Sequence, residues 1–121
     1  MKKTVIIGAS NNPSRYAYRA AHMLKDHGHD IVPVSNKKGE VAGVSILHIK
    51  DQPLVPDVDT VTMYVGPTNL PVYEDYILNL KPKRIIFNPG TENHAFERRA
   101  RAEGIQTYQH CTLVLLQTGQ Y

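Results

Sequence analysis

Cysteine and tryptophan are scarce in this sequence. Its 121 residues include one cysteine, Cys111, and no tryptophan. A single cysteine excludes an internal disulfide and any zinc site built from several thiolates, and it is typical of proteins in a reducing compartment. His22, His27 and His29 are close along the chain, but their spacing fits no usual zinc pattern. We therefore predict no metal site.

Long apolar runs are also missing. The first residues, MKKTVIIGAS, turn to glycine and polar residues after three apolar ones, which is too short for the apolar core of a secretory signal. No run approaches the roughly 20 residues that span a membrane. These absences predict a cytoplasmic protein without a membrane partner.

The net charge is only slightly positive. Lys and Arg number 14 against 11 Asp and Glu, which gives a formal net charge of +3. This small excess fits an anionic small molecule, whereas proteins that bind nucleic acid usually carry a denser basic stripe. Arg98, Arg99 and Arg101 do cluster, but the exposed face of a predicted helix explains them. We predict no nucleic-acid partner.

The apolar pattern predicts alternating strands and helices. Apolar, largely β-branched runs predict five strands, at residues 3–8, 29–35, 58–66, 83–90 and 105–109. Apolar residues at helical spacing predict helices at residues 17–24, 70–80 and 92–103. The rest is predicted as a long connection over residues 36–57 and a terminal helix or strand over residues 111–116.

Such alternation implies right-handed crossovers and a parallel sheet covered on both faces. We predict one Rossmann-like α/β domain over residues 1–121, with a five-stranded parallel sheet in the order 3-2-1-4-5. Ligands of such sheets bind beyond the carboxyl ends of the strands where the order reverses. In this order the reversal falls between the first and fourth strands.

The loop after the first strand reads Gly8-Ala9-Ser10-Asn11-Asn12-Pro13, so it lacks the second and third glycines of the dinucleotide fingerprint G-x-G-x-x-G. It leads directly into a helix, whose first amides and dipole favour an anion. Gly8 permits a tight turn, Ser10 adds a hydroxyl donor and Arg15 adds a charge. The loop predicts a phosphate site; the alternative is a plain turn between strand and helix.

The loop after the second strand offers Asn36, Lys37 and Lys38. A chain that binds the ribose diol of NAD usually has an acidic residue there, whereas two lysines favour a ligand with an extra ribose phosphate. NADP and coenzyme A (CoA) both qualify, and a solvated lysine pair is the alternative. In the later loops, Gly66 and Gly90 allow close backbone approach and Asn88 offers an amide to a base.

Four segments together resemble the stand-alone CoA-binding domain proteins, which are related to the amino-terminal domain of the succinyl-CoA synthetase alpha subunit. They are IIGASNNPSRYAYRAAHMLKDHGHDIVPVSNKKGE, VDTVTMYVGPTN, FNPGTEN and AEGIQTYQHC. The resemblance runs from about residue 4 to Cys111. It departs from the family at Asn88-Pro89-Gly90, where Gln or Trp often precedes the glycine, and at His110, where arginine is common.

The resemblance implies CoA as the cofactor and assigns the loops to its parts. Gly8, Ala9, Ser10 and Asn11 would cradle the pyrophosphate, with support from Arg15. Lys37 or Lys38 would meet the ribose 3′-phosphate. The remaining contacts would come from Val65 and Pro67, beside the adenine or the pantetheine arm, and from Asn88, Pro89 and Gly90 on the far side.

No catalytic residues are predicted, because no nucleophile is paired with a base. His110 and Cys111 are adjacent, and neighbouring residues on a strand point to opposite faces. The sequence therefore favours a non-catalytic module that binds CoA or acyl-CoA as a carrier, sensor or regulator. An NADP-dependent oxidoreductase and one part of a multi-protein acyl-CoA enzyme stay open as alternatives, as does a homodimer or a partner protein.

Overall fold

The computed structural model describes residues 1–121. Its strands are β1 (Thr4–Ile7), β2 (Ile31–Ser35), β3 (Gly39–Val41), β4 (Val44–His48), β5 (Thr60–Met63), β6 (Arg84–Phe87) and β7 (Gln106–Gln109). Its α-helices are α1 (Tyr16–Asp26), α2 (Glu74–Leu80), α3 (His94–Ala102) and α4 (Thr112–Gln117). Short 3₁₀ turns cover Ile49–Asp51 and Leu70–Val72.

The strands form one sheet in the order β3-β4-β2-β1-β5-β6-β7, and every pair except β3 with β4 is parallel. The prediction of an α/β domain with a mostly parallel sheet is confirmed. The predicted strand number and order are wrong: the sheet has seven strands rather than five. The third predicted strand, β5, pairs with β1 instead of β2, so the predicted five strands follow the order 2-1-3-4-5.

A hairpin inside the predicted connection causes this difference. β4 pairs with β2 through Val34↔Leu47 and Ser35↔His48, and it therefore takes the edge of β2 that the order 3-2-1-4-5 needed for the third strand. The turn between β3 and β4 has positive φ at both Ala42 and Gly43 (52° and 78°), as a tight hairpin turn requires. The strand order consequently reverses between β1 and β5, not between the first and fourth strands.

Helices cover both faces of the sheet. On one face, α1 buries Ala17, Ala20, Ala21 and Leu24, and its small side chains allow close approach to the strands and to α4. On the other face, α2 and α3 pack over the sheet, with Phe87 and Phe96 in edge-to-face contact at 6.0 Å. None of the helices is both long and apolar enough to cross a bilayer.

Candidate functional site

An open cleft of about 490 Å³ lies at the carboxyl ends of β2, β1, β5 and β6, where the strand order reverses. Nine residues predicted from the sequence line it: Gly8, Ala9, Ser10, Arg15, Asn36, Lys37, Val65, Pro89 and Gly90. Gly66, which the sequence indicated for close backbone approach, lines it as well. Seven further lining residues were not predicted: Tyr16, Ala17, Ser35, Tyr64, Asn69, Tyr73 and Thr91. The structure thus brings together the loops after four strands.

The β1–α1 loop, residues 8–15, is fixed between its two neighbouring strands. The Gly8 and Ala9 amides both donate to the Val34 carbonyl, at 2.9 and 3.2 Å. On the other side, a Cβ added to Gly8, which has φ +87°, would lie 2.8 Å from Val65 Cγ1 and 2.9 Å from the Tyr64 carbonyl carbon. Only glycine fits this position without displacement, so the close approach determines where the loop sits.

The interior of the β1–α1 loop is held by its own side chains. The backbone amide of Asn12 donates to Ser10 Oγ at 3.0 Å. The side-chain oxygen of Asn12, Oδ1, accepts from the backbone amide of Ser14 at 3.0 Å and from the Ser14 hydroxyl at 2.8 Å. The amides of Ser10, Tyr16 and Ala17 make no hydrogen bond within the protein. One of these donors lies in the loop and two lie at the start of α1, and none has a protein acceptor that would compete with an anionic oxygen.

Positive charge dominates the cleft. Arg15 and Lys37 line it and form no ion pair, and no Asp or Glu is among the lining residues. The Lys37 amide donates to Ser35 Oγ at 3.2 Å, which shapes the turn after β2. Two unpaired cations beside free amides give the cleft the chemistry of an anion site.

Four of the predicted site residues lie outside the cleft lining. Lys38 and Pro67 are exposed beyond its edge. Asn11 lines a neighbouring groove between α1 and the β3–β4 hairpin, and its side chain lies against Gly39, where an added Cβ would be 2.9 Å from Asn11 Nδ2. The fourth, Asn88, is buried behind the cleft.

Asn88 anchors a buried polar network instead of facing the cleft. Its Nδ2 donates to Thr62 Oγ1 at 2.7 Å and to the Met63 carbonyl at 2.8 Å, and its Oδ1 accepts from the Thr112 amide at 2.8 Å. The Thr62 and Thr112 hydroxyls are 2.8 Å apart. Both groups of the amide are therefore used within the core, where they join β5, the end of β6 and the start of α4.

Three tyrosines missed by the sequence reasoning contribute to the walls. Tyr16 is 67% exposed at the cleft mouth, with the Arg19 guanidinium 5.7 Å from its ring centre. The Tyr64 hydroxyl is buried without a hydrogen-bond partner; burial raises the pKa of its phenol, and the nearby Cys111 raises it further. Burial also raises the pKa of Tyr73. The sequence offered one signal for these tyrosines, which is that each lies close to a residue already noted. Tyr16 follows Arg15, Tyr64 precedes Val65, and Tyr73 follows Leu70 by three residues.

The fold and the cleft together define an open α/β domain with a positively charged cleft at its topological switch point. Comparison with known proteins gives the family: the chain belongs to the CoA binding domain family, whose model matches residues 2–117. This finding confirms the resemblance read from the sequence. Among curated proteins, none matches the chain significantly.

Solved structures show the same architecture. The crystal structure of an uncharacterized protein is 50% identical, with a TM-score of 0.96 over 100% of this chain and 98% of the other. A hypothetical protein from Pyrococcus horikoshii OT3 is 26% identical, with a TM-score of 0.83 over 97% of this chain and 82% of the other. A Rex-family repressor, 13% identical with a TM-score of 0.68, covers 98% of this chain and 57% of its own and shares the fold alone.

Proposed function

We propose that this protein binds CoA or acyl-CoA in the cleft, as a binding, carrier or regulatory module without chemistry of its own. The observation that carries the proposal is the pairing of Arg15 and Lys37 with free amides in a cleft that contains no carboxylate. Membership of the CoA binding domain family supports the choice of ligand.

The cleft offers a place for each charged part of the ligand. The pyrophosphate would accept from the free amides of Ser10, Tyr16 and Ala17, beside the Arg15 guanidinium. Lys37, on the β2 side, would meet the 3′-phosphate. Because β2 and β5 flank β1 on opposite sides, the ligand would lie along the carboxyl edge of the sheet, with Val65 against its centre and Pro89 and Gly90 towards the pantetheine arm.

Calorimetric titration with four nucleotides tests this assignment. CoA, 3′-dephospho-CoA, NADP and NAD differ in the phosphate that Lys37 is proposed to bind. We expect CoA to bind, and 3′-dephospho-CoA to bind more weakly by about 1–3 kcal/mol, as for the loss of a charge-assisted contact. Tight binding of NADP without CoA would favour an oxidoreductase, and no binding by any of the four would refute the assignment.

Lysine variants show which cation is responsible. Lys37→Ala should reduce the difference between CoA and 3′-dephospho-CoA, because the removed charge lines the cleft. Lys38→Ala is the matched control: it removes the same charge from the next position, outside the lining, and should leave most of the difference in place. A larger effect at Lys38 would contradict the role given to Lys37. A partner that copurifies would instead favour one part of a multi-protein enzyme.

A further inference from the structure

The loop after β6, residues 88–93, carries a negative charge beside the cleft. Glu92 is exposed, and its Oε1 accepts a hydrogen bond of 2.8 Å from the amide of Gly90, which lines the cleft. No Lys, Arg or His lies within ion-pair distance of Glu92. An uncompensated carboxylate thus lies beside the β6 end of a cleft whose charged lining residues, Arg15 and Lys37, are both positive.

The sheet order indicates which part of the ligand reaches this end. The loops after β2, β1, β5 and β6 follow one another along the edge. With the 3′-phosphate at Lys37 and the pyrophosphate at the start of α1, the pantetheine arm has to continue past β5 towards β6. Two strand spacings separate β1 from β6, or roughly 10 Å. The arm is about as long as four extended residues, roughly 13 Å, so its thiol end reaches the Gly90 region.

We propose that Glu92 determines acyl specificity by disfavouring acyl groups that carry a negative charge. The inference rests on the proposed function, since it concerns the thiol end of the same bound ligand. A second carboxylate brought to this end would be repelled by Glu92, and the Gly90 amide that would otherwise receive it is already occupied. The cleft would therefore prefer free CoA and uncharged acyl-CoA over the CoA esters of dicarboxylic acids.

The expected preference is modest, because Glu92 is exposed to water. Repulsion between two exposed charges several ångströms apart corresponds to roughly three- to tenfold in affinity at low salt. Added salt should reduce it, since exposed charges are screened over about 10 Å at 0.1 M. A preference of this origin therefore depends on charge rather than on the size of the acyl group.

Titration with acetyl-CoA and succinyl-CoA provides the test. In the unmodified protein, acetyl-CoA should bind about three- to tenfold more tightly. In Glu92→Gln, which keeps an oxygen acceptor for the Gly90 amide, the ratio should fall towards one. Glu103→Gln is the control: it makes the same change at the other end of α3, away from the cleft, and should leave the ratio unchanged.

The outcomes separate this inference from the proposed function. Normal CoA binding with the same acetyl-to-succinyl ratio in the unmodified protein and in Glu92→Gln would overturn the role of Glu92 alone. Equal binding of the two esters by the unmodified protein would overturn it as well. Failure of CoA itself to bind would overturn the proposed function, and the inference with it. Circular dichroism spectra of both variants verify that the fold is retained.

Discussion

Replacing Gly8 by alanine should destabilise the protein for two separable reasons. An alanine at φ +87° occupies the left-handed region, which costs roughly 1–2 kcal/mol. Its Cβ would also lie 2.8 Å from Val65 Cγ1, 2.9 Å from the Tyr64 carbonyl carbon and 3.0 Å from the Tyr64 oxygen. Two of these contacts are with backbone, which cannot rotate away, so overpacking adds about 1–3 kcal/mol.

Together these terms predict a loss of about 2–5 kcal/mol in the free energy of unfolding. In a domain of this size, each kcal/mol lowers Tm by about 4 °C. Gly28→Ala separates the two terms, because Gly28 has nearly the same φ (+84°) and nothing within 4 Å of an added Cβ. It should lose only the conformational part, roughly 1–2 kcal/mol.

Urea and thermal unfolding followed by circular dichroism measure both variants, and the chain's lack of tryptophan makes this signal preferable to fluorescence. The difference between Gly8→Ala and Gly28→Ala isolates the contact with the β5 strand end. If Gly8→Ala is no less stable than Gly28→Ala, the close approach does not hold the β1–α1 loop in place, and the reasoning is refuted. Gly8→Ala should also bind CoA more weakly, because the β1–α1 loop that it displaces carries the free amides.

Two further predictions concern polar groups that accept hydrogen bonds from backbone amides. Asn88→Ala removes three hydrogen bonds and leaves the Thr112 amide without its acceptor, so urea unfolding should show a loss of about 2–4 kcal/mol; a change under 1 kcal/mol would contradict the structural role. Burial lowers the pKa of His29 below its ordinary 6.5, and its Nδ1 accepts from the Lys2 amide at 2.9 Å. The stability conferred by this neutral ring should therefore be present above pH 6.5 and be lost as pH falls from there to the lower pKa of the folded state. His29→Asn should flatten the pH dependence of unfolding over that range.

The sequence predicts the fold where its signals are local. The Ala17, Ala20, Ala21 and Leu24 spacing identifies α1, because it reports directly on burial. The apolar runs identify β1, β2, β5, β6 and β7, although β7 lies at an edge of the sheet and is largely exposed. The edge hairpin is missed because its strands, β3 and β4, are short and largely exposed. Strand order depends on which free edge the third strand joins, and the missed hairpin determines that choice.

For the site, the sequence names nine of the seventeen residues that line the cleft, and Gly66 besides, since the loops after parallel strands meet at one edge. The sequence does not predict which way the side chain of a loop residue points. A residue after β6 either faces a ligand or turns into the core, and Asn88 turns into the core because Thr62 and Thr112 provide its partners from distant segments. The sequence gives no signal for Glu92, because the role proposed for it depends on its hydrogen bond with the Gly90 amide.

The hydrogen bonds of Ser10, Asn12 and Ser14 order the β1–α1 loop without any ligand. The loop therefore loses its conformational entropy during folding, and this loss does not weaken ligand binding. We expect the ligand to bind a preformed cleft. Its association rate constant should be set by diffusion and orientation rather than by closure of a loop. With no closing step to trap the ligand, occupancy should follow the changing concentrations of competing ligands.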